Sequence, residues 1–518
     1  MKLRSICIAV LSILIVYGLF AGLMYSINLE LDSDMVVPGL VANEIFGHGN
    51  FQYNFPIDDP YLFTDVYTFH LLPQFLSGYD PLVLRLTAYF MFLLAILVFS
   101  YMVYRYAGLL GALLFAALIS NISPDAYRFF IQPEYHVGTL IFAGIFIVIY
   151  ELEKIKKASI YRVLVYSIVA GLVTLSDDSF LAFFILPYLI YYALSLRSDI
   201  MKTGAGKGKK TRGAISAETR KVLRKTDIAA ILLIAVPALA VMLKTFEPVS
   251  IGDLVPYFDH TAIVAAGIDT AILTNLPLFF QSLAMLTCHA LYDVLIFKFG
   301  VLDILLAIAF IAVLYLAITR YNRKAKYLYA MFLASGAIML LMFLFTGFVT
   351  GFWAVRFLLF TAISVFAVIA LAYDEKDEKL GLNALLLVLV IVLIVSTVPA
   401  NLTRLASLDG HPNQEQYGII EYLKNHNDTV GFSDYGNSNV ITYLSGGQVV
   451  IRSARMADNG GLEQYPWLGS NRWYDVPPTR YFILAKNDST FYGDLQGSIK
   501  IFRPKDAQSY GNYTIYRY

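Results

Sequence analysis

Charged residues are scarce in this chain of 518 residues: 15% are Asp, Glu, Lys or Arg, and the formal net charge is only +1. Because a nucleic-acid partner calls for a marked excess of positive charge, no such partner is expected. Cysteine is rarer still, with Cys7 and Cys288 as the two thiols. Their spacing matches no metal-binding motif, and the topology predicted below from charge puts them on opposite sides of a membrane, so no disulfide is expected.

Apolar residues make up 58% of the chain, and the mean hydropathy is +0.63. A run of about 20 apolar residues is long enough to cross a bilayer. The sequence predicts eleven such spans, at residues 5–27, 82–103, 109–121, 137–152, 160–175, 180–196, 228–243, 301–318, 327–348, 357–373 and 382–399. The first run is long and lacks a cleavage site of small residues, so we interpret it as a retained span rather than a signal peptide.

Residues 276–297 are apolar enough to span but carry Gln281, His289 and Asp293. Counting this segment as one span would invert the predicted orientation of every span after it. We therefore expect an outer loop with interfacial or re-entrant helices, and thirteen spans is the alternative count.

Lys and Arg predict the orientation of the chain. They concentrate in alternate connections, above all in residues 197–225, whereas the other side holds few of them before residue 400. Basic loops stay in the cytoplasm, which puts the N-terminus inside and the first long loop and the C-terminus outside. The Gly- and Lys-rich residues 202–224 are expected to form a mobile cytoplasmic loop.

The composition changes at residue 401, where the apolar runs shorten and turn residues become frequent. We expect residues 1–400 to form a membrane domain and residues 401–518 an exterior soluble α/β domain. A helix is predicted at residues 415–424, and strands at residues 429–432, 448–451, 481–485, 499–502 and 513–516. Four glycan-acceptor triplets, beginning at Asn401, Asn427, Asn487 and Asn512, agree with an exterior location.

The first long loop, residues 28–81, contains eight acidic residues and neither Lys nor Arg. Its Asp32 and Asp34 lie one residue apart where the first span ends. Two carboxylates this close raise each other's pKa, or bind a cation or a proton-donating substrate. We predict an active site in which Asp34 is the general base and Asp32 its partner. The alternative is that Asp34 merely caps a helix that begins near Pro38.

One span, an Asp-x-Asp pair in the first outer loop, and a short helix that ends at a glycine turn near residues 47–49 together resemble the GT-C superfamily of glycosyltransferases. The resemblance is to enzymes of the protein-mannosyltransferase and aminoarabinose-transferase type. It implies a polytopic α-helical membrane fold with an appended soluble domain, and an inverting transfer of sugar from a polyprenyl phosphate to a lipid, glycan or protein acceptor on the outer face. A divalent metal, Mg²⁺ or Mn²⁺, held by Asp32 and Asp34 is an open expectation, since only some relatives need one.

Further candidates lie at the outer ends of other spans. Glu134 and His136 are placed to bind phosphate or sugar, although a lone His is often structural. Asp178 belongs either to a tight turn or to a second carboxylate cluster.

Arg356 opens the tenth span beside aromatic residues, and the resemblance associates this position with the lipid phosphate. Its planar fork suits a phosphate, although interfacial anchoring is the alternative. Lys244 and Lys298 are weaker candidates for the same role. Trp467 and Trp473 are expected in the core of the soluble domain rather than in a sugar site.

Two rival functions remain. A transporter or lipid flippase is expected to place ionisable groups at mid-membrane and to show two related halves. This chain places its acids in outer loops and has no internal repeat. The second rival is a non-catalytic membrane scaffold, which does not explain the acidic loop.

Overall fold

The computed structural model describes residues 2–49, 62–133, 136–153, 160–177, 179–194, 232, 235–239, 270–320, 325–345, 352–373, 380–457, 460–465, 468–475, 478 and 480–518. The protein is an integral membrane protein. Six helices within these residues are long and apolar enough to cross a bilayer. The predicted number of eleven spans stays a prediction, and most of the span at residues 228–243 lies outside the described residues.

Helices form the membrane part of the chain. In chain order they are α1 (Lys2–Ile27), α2 (Val37–Ala42), α3 (Leu71–Leu76), α4 (Pro81–Ser120), α5 (Pro124–Ile131), α6 (Val137–Glu153), α7 (Ile160–Ser176), α8 (Leu276–Thr287), α9 (His289–Leu295), α10 (Val301–Thr319), α11 (Lys326–Phe345), α12 (Leu359–Ala372) and α13 (Leu380–Ala406). A π-helix over Leu62–His70 precedes α3, and a 3₁₀-helix over Phe352–Leu358 precedes α12.

Helix α4 contains two of the predicted spans. Its backbone leaves the helical conformation at Gly108, where φ is 72°. A positive φ of this size favours glycine, because a Cβ atom would clash there. The predicted boundary between residues 103 and 109 is therefore confirmed as the place where two helices meet.

The ambiguous segment at residues 276–297 forms two short helices rather than one span. α8 ends at Thr287, Cys288 is extended, and α9 begins at His289. The Gln281 side chain donates to the Leu295 carbonyl at 3.4 Å, so the two helices run back along each other. Twelve residues of α8 extend only about 18 Å, which is too short for a hydrocarbon layer of about 30 Å.

The C-terminal part is a six-stranded mixed sheet with helices. Its strands are β1 (Val430–Ser433), β2 (Val450–Met456), β3 (Leu462–Gln464), β4 (Phe482–Lys486), β5 (Asp506–Tyr510) and β6 (Tyr513–Arg517), in the order β3-β2-β1-β4-β6-β5. β1 pairs in parallel with β2 and β4, and the other pairings are antiparallel. Its helices are α14 (Gln414–Asn425), α15 (Tyr435–Leu444) and α16 (Thr490–Phe502).

Four of the five predicted strands are confirmed, but the strand predicted at residues 499–502 is wrong. Those residues form the last turn of α16. Apolar residues alternate over only four positions there. So short a stretch does not distinguish the apolar period of a strand from that of a helix. β3 and β5 were not predicted. Trp473 lies in the core as expected, whereas Trp467 lies outside the described residues.

The acidic loop between α1 and α4 lies between the membrane helices and the sheet. Leu31, Met35 and Leu40 of this loop share one apolar cluster with Ile441 of α15 and Leu84 of α4. The acidic pair is thus placed where the two parts of the protein meet.

Candidate active site

The backbone around the acidic pair is fixed by side chains from both parts. Arg85 of α4 donates from Nε to the Leu29 carbonyl and from Nη2 to Oδ1 of Asn413, both at 2.8 Å. The same Oδ1 accepts the Leu31 amide at 3.0 Å, and the Asn413 amide group donates to the Leu31 carbonyl at 2.8 Å. Asn413 has φ 63°, which Asn tolerates better than most residues.

Asp32 faces the membrane part. Its Oδ2 lies 3.2 Å from Nη2 of Arg128 on α5, and its Oδ1 accepts the Met35 amide at 3.0 Å. Burial and the neighbouring Asp34 raise the pKa of Asp32 to about 6, although Arg128 and the Met35 amide act in the opposite direction. About a third of the Asp32 side chain stays accessible (37%), so the carboxylate is not closed off from solvent.

Asp34 faces the C-terminal part. Its Oδ1 accepts a hydrogen bond from the Tyr435 hydroxyl at the start of α15. The alternative that Asp34 caps the following helix is wrong, since α2 begins after Val36 and no side chain caps it. The turn is closed instead by Asp32 through the Met35 amide.

His136 is part of a buried polar cluster at the start of α6. Its Nδ1 lies 2.6 Å from Oδ2 of Asp177, and both side chains are 3% exposed. Ser179 contacts both of them. Burial alone would raise the pKa of Asp177, but the contacts with His136 and the hydroxyl groups lower it overall. The sequence pointed to the segment at residues 176–179 and to Asp178 in it, which lies outside the described residues; the carboxylate that contacts His136 is its neighbour Asp177.

The π-helix of the acidic loop joins this cluster. Asp65 is fully buried and accepts the Gly138 amide at 3.1 Å. The Ser176 hydroxyl accepts the Thr64 amide at 3.2 Å. The acidic loop is therefore held against the ends of α6 and α7.

Arg356 lies in the 3₁₀-helix before α12. Its guanidinium carbon is 5.1 Å from the centre of the Phe357 ring, and that ring is 5.1 Å from the His136 ring. Arg356 and His136 therefore both lie close to the Phe357 ring. Lys298 is exposed between α9 and α10, and Glu134 and Lys244 lie outside the described residues.

Glu44 is a polar residue of the loop that sequence reasoning missed. It is 2% exposed, and it accepts hydrogen bonds from Ser470 and Arg472 of the C-terminal part, both at 2.8 Å. Because its partners lie more than 400 positions away in the sequence, no local pattern indicates this contact.

Comparisons with known proteins show the fold. No family model matches the chain, and no curated protein matches it. The structure is similar to the crystal structure of the Archaeoglobus fulgidus oligosaccharyltransferase in complex with zinc and sulfate, with a TM-score of 0.50 and 14% identity. The match covers 94% of this chain and 70% of that one. The chain therefore has the fold of this oligosaccharyltransferase, and the predicted resemblance is confirmed at the level of the fold alone.

A second similar structure is ArnT from Cupriavidus metallidurans bound to undecaprenyl phosphate. The TM-score is 0.44 at 12% identity, and the match covers 98% of this chain and 97% of that one.

Asp32 and Asp34 alone do not form a metal site. In the described part of the chain, no three His, Cys, Asp or Glu side chains come together to hold an ion. The Asp32 carboxylate contacts the cationic Arg128 instead, whereas Mg²⁺ demands near-octahedral oxygen coordination.

Proposed function

We propose that the protein is an inverting glycosyltransferase that moves a sugar from a polyprenyl-phosphate donor to an acceptor hydroxyl on the outer face of the membrane. The observation that supports this most directly is the acidic pair, held at the junction of the two parts in a GT-C fold. Lipid, glycan and protein are the acceptor classes to test. The undecaprenyl phosphate bound to ArnT motivates the choice of donor class.

In the proposed reaction, a carboxylate of the acidic pair takes the proton of the acceptor hydroxyl. The acceptor oxygen then forms a bond to the anomeric carbon, and the bond from that carbon to the phosphate oxygen breaks. The electron pair leaves with the polyprenyl phosphate, whose charge Arg356 stabilises. Attack and departure on opposite sides of the carbon invert its configuration. A general base contributes about 100- to 10,000-fold to such a step.

The proton acceptor is Asp34 in this proposal, with Asp32 as its partner. Asp34 is joined to the neutral hydroxyl of Tyr435, and none of the described residues forms an ion pair that cancels its negative charge. Asp32 is paired with Arg128 and fixes the turn. His136, Glu134 and Asp178 are proposed to contribute to donor binding near Arg356.

The test is transfer by the full-length protein in lipid vesicles, with a panel of labelled polyprenyl-phosphate sugars and acceptors. Asp34→Asn should reduce turnover by about 100-fold or more, because the amide cannot accept the proton. Asp80→Asn is the matched control in the same loop: Asp80 caps α4 through the Leu82 amide at 2.7 Å, and Asn caps about as well. No transfer from any donor, or full turnover in Asp34→Asn, contradicts the proposal.

A further inference from the structure

Tyr435 is the residue of the C-terminal part that reaches the acidic pair. It follows the carboxyl end of β1 and begins α15. Its hydroxyl donates to Oδ1 of Asp34, 401 positions earlier in the sequence. Among the described residues, Oδ2 of Asp34 accepts no hydrogen bond, so one oxygen is held and the other stays available.

The position of the Tyr435 side chain is set by a rigid surrounding. Asp434 caps α15 by accepting the Asn437 amide at 3.2 Å and the Asn437 side chain at 2.9 Å. The Tyr435 ring packs against the apolar cluster that contains Val37 and Leu468, and it lies edge-on to Tyr465 at 6.4 Å. A hydroxyl fixed in this way selects one orientation of the carboxylate that it contacts.

The C-terminal part also holds the residues that precede Asp34. The Val440 amide donates to the Ser33 hydroxyl at 3.4 Å, and the Leu31 backbone is held by Asn413 at 3.0 and 2.8 Å. The C-terminal part therefore holds both the chain and the side chain of Asp34. The Asp32 side chain, in contrast, is held by the membrane part, through its ion pair with Arg128.

We propose that Tyr435 is a positioning residue for the transfer reaction: its hydroxyl holds Oδ1 of Asp34, so that Oδ2 faces the acceptor. The inference rests on the proposed function and adds that the C-terminal part completes the active site. A residue that merely joins two parts stabilises the protein, whereas a positioning residue changes turnover without weakening donor binding.

The test variant is Tyr435→Phe, which keeps the ring and its packing and removes the hydroxyl. Loss of a hydrogen bond to a charged group corresponds to about 10- to 150-fold in rate. We expect kcat to fall by about tenfold or more, with KM for the donor within about twofold of the parent. Thermal unfolding in the same preparation shows whether the variant is folded.

Tyr443→Phe is the matched control. Tyr443 lies on the same helix and donates to Oε1 of Gln74 at 2.8 Å, in the same outer loop but away from the carboxylates. This variant loses an equivalent contact between the two parts, so it should keep the kcat of the parent. Equal losses of kcat in both variants mean that the contact only joins the two parts, which overturns the inference.

A measurement without substrate separates this inference from the proposed function. Subtracting the infrared spectrum of Asp34→Asn from that of the parent isolates the carboxylate stretch of Asp34. That band should shift in Tyr435→Phe and stay in place in Tyr443→Phe. If the band shifts but the protein transfers no sugar, the proposed function is contradicted, whereas the hydrogen bond between Tyr435 and Asp34 is supported. An unshifted band, or parental kcat in Tyr435→Phe, overturns the role of Tyr435.

Discussion

Asp32 and Asp34 are separated by one residue, yet their side chains contact different kinds of group. Arg128 offers Asp32 a full positive charge, and Tyr435 offers Asp34 a neutral donor. A cation favours the ionised form of its partner, and burial favours the protonated form. Burial and the charge of Asp34 outweigh Arg128 in the case of Asp32, whose pKa is raised to about 6. The acidic pair therefore gains a proton close to neutral pH.

This raised pKa predicts the acid side of the pH profile. At pH 7 most Asp32 is ionised, and it takes up a proton as the pH falls through about 6. Protonation removes its ion pair with Arg128 and the negative partner of Asp34. We expect kcat/KM to fall about tenfold per pH unit below pH 6, and this limb to be absent in Asp32→Asn. The measurement is the pH profile of both proteins, and a parental profile that is flat down to about pH 5 contradicts it.

Arg356→Lys distinguishes a phosphate-binding role from interfacial anchoring. Both side chains reach an interface and carry a charge, but only Arg grips a phosphate through two parallel hydrogen bonds. We expect Arg356→Lys to insert and fold normally and to lose at least about tenfold in turnover, since one charge-assisted bond is lost. Donor binding and turnover are measured on the same purified variant.

Arg404 in the last turn of α13 is the control for that experiment. It is an exposed arginine at the end of a membrane helix, and Lys should replace it without loss. If Arg356→Lys also matches the parent in binding and turnover, Arg356 only anchors its helix.

At the scale of elements, the π-helix Leu62–His70 packs directly on the first turn of α6. A Cβ atom at Gly138 would lie 2.2 Å from the Thr64 carbonyl oxygen and 2.6 Å from Oδ2 of Asp65. Both are far below contact distance, so the lack of a side chain at Gly138 permits this approach. The buried pair of His136 and Asp177 lies next to the same contact.

Gly138→Ala should therefore push the first outer loop away from α6. Overpacking of this kind costs about 1–3 kcal/mol, and we expect a lower midpoint of thermal unfolding in detergent. Gly381→Ala is the matched control, because Gly381 is also the second residue of its helix and has nothing within 4 Å of the added Cβ. Equal midpoints for the two variants contradict the packing argument.

The elements that sequence could predict are those with a long periodic pattern. The helices of the membrane part are such elements, and the break at Gly108 falls where the apolar run is interrupted. β5 reads Asp-Ala-Gln-Ser-Tyr and is largely exposed, so it lacks the alternation that marks a strand. The first turn of α15 contains Gly436 and Asn437 after Tyr435, and Gly and Asn favour turns. The contacts of Tyr435 and Arg472 with the acidic loop arise from tertiary packing and leave no local signal.

At the scale of the whole molecule, the acidic loop and the sheet lie at the same end of the membrane helices. The Tyr25 hydroxyl at the end of α1 donates to the Asn401 carbonyl near the end of α13 at 3.1 Å. At the opposite end of the bundle, Arg320 after α10 donates to Asn383 at the start of α13 at 3.2 Å. α1 and α13 therefore end on the same side, which is also the side of the acidic loop and the sheet.

Reporter fusions test which side of the membrane this face occupies. Basic residues concentrate in residues 197–225, and such loops stay in the cytoplasm. A fusion after Lys210 should therefore report a cytoplasmic position, and a fusion after Gly410 an exterior one. Five predicted spans lie between these two points. Because five is an odd number of crossings, the two fusions should report opposite sides of the membrane. Matching readings at both points mean that the number of crossings is even, which contradicts the predicted five. Exchanged readings keep the number of spans but put the acidic pair inside, where it would meet cytoplasmic rather than outward-facing donors.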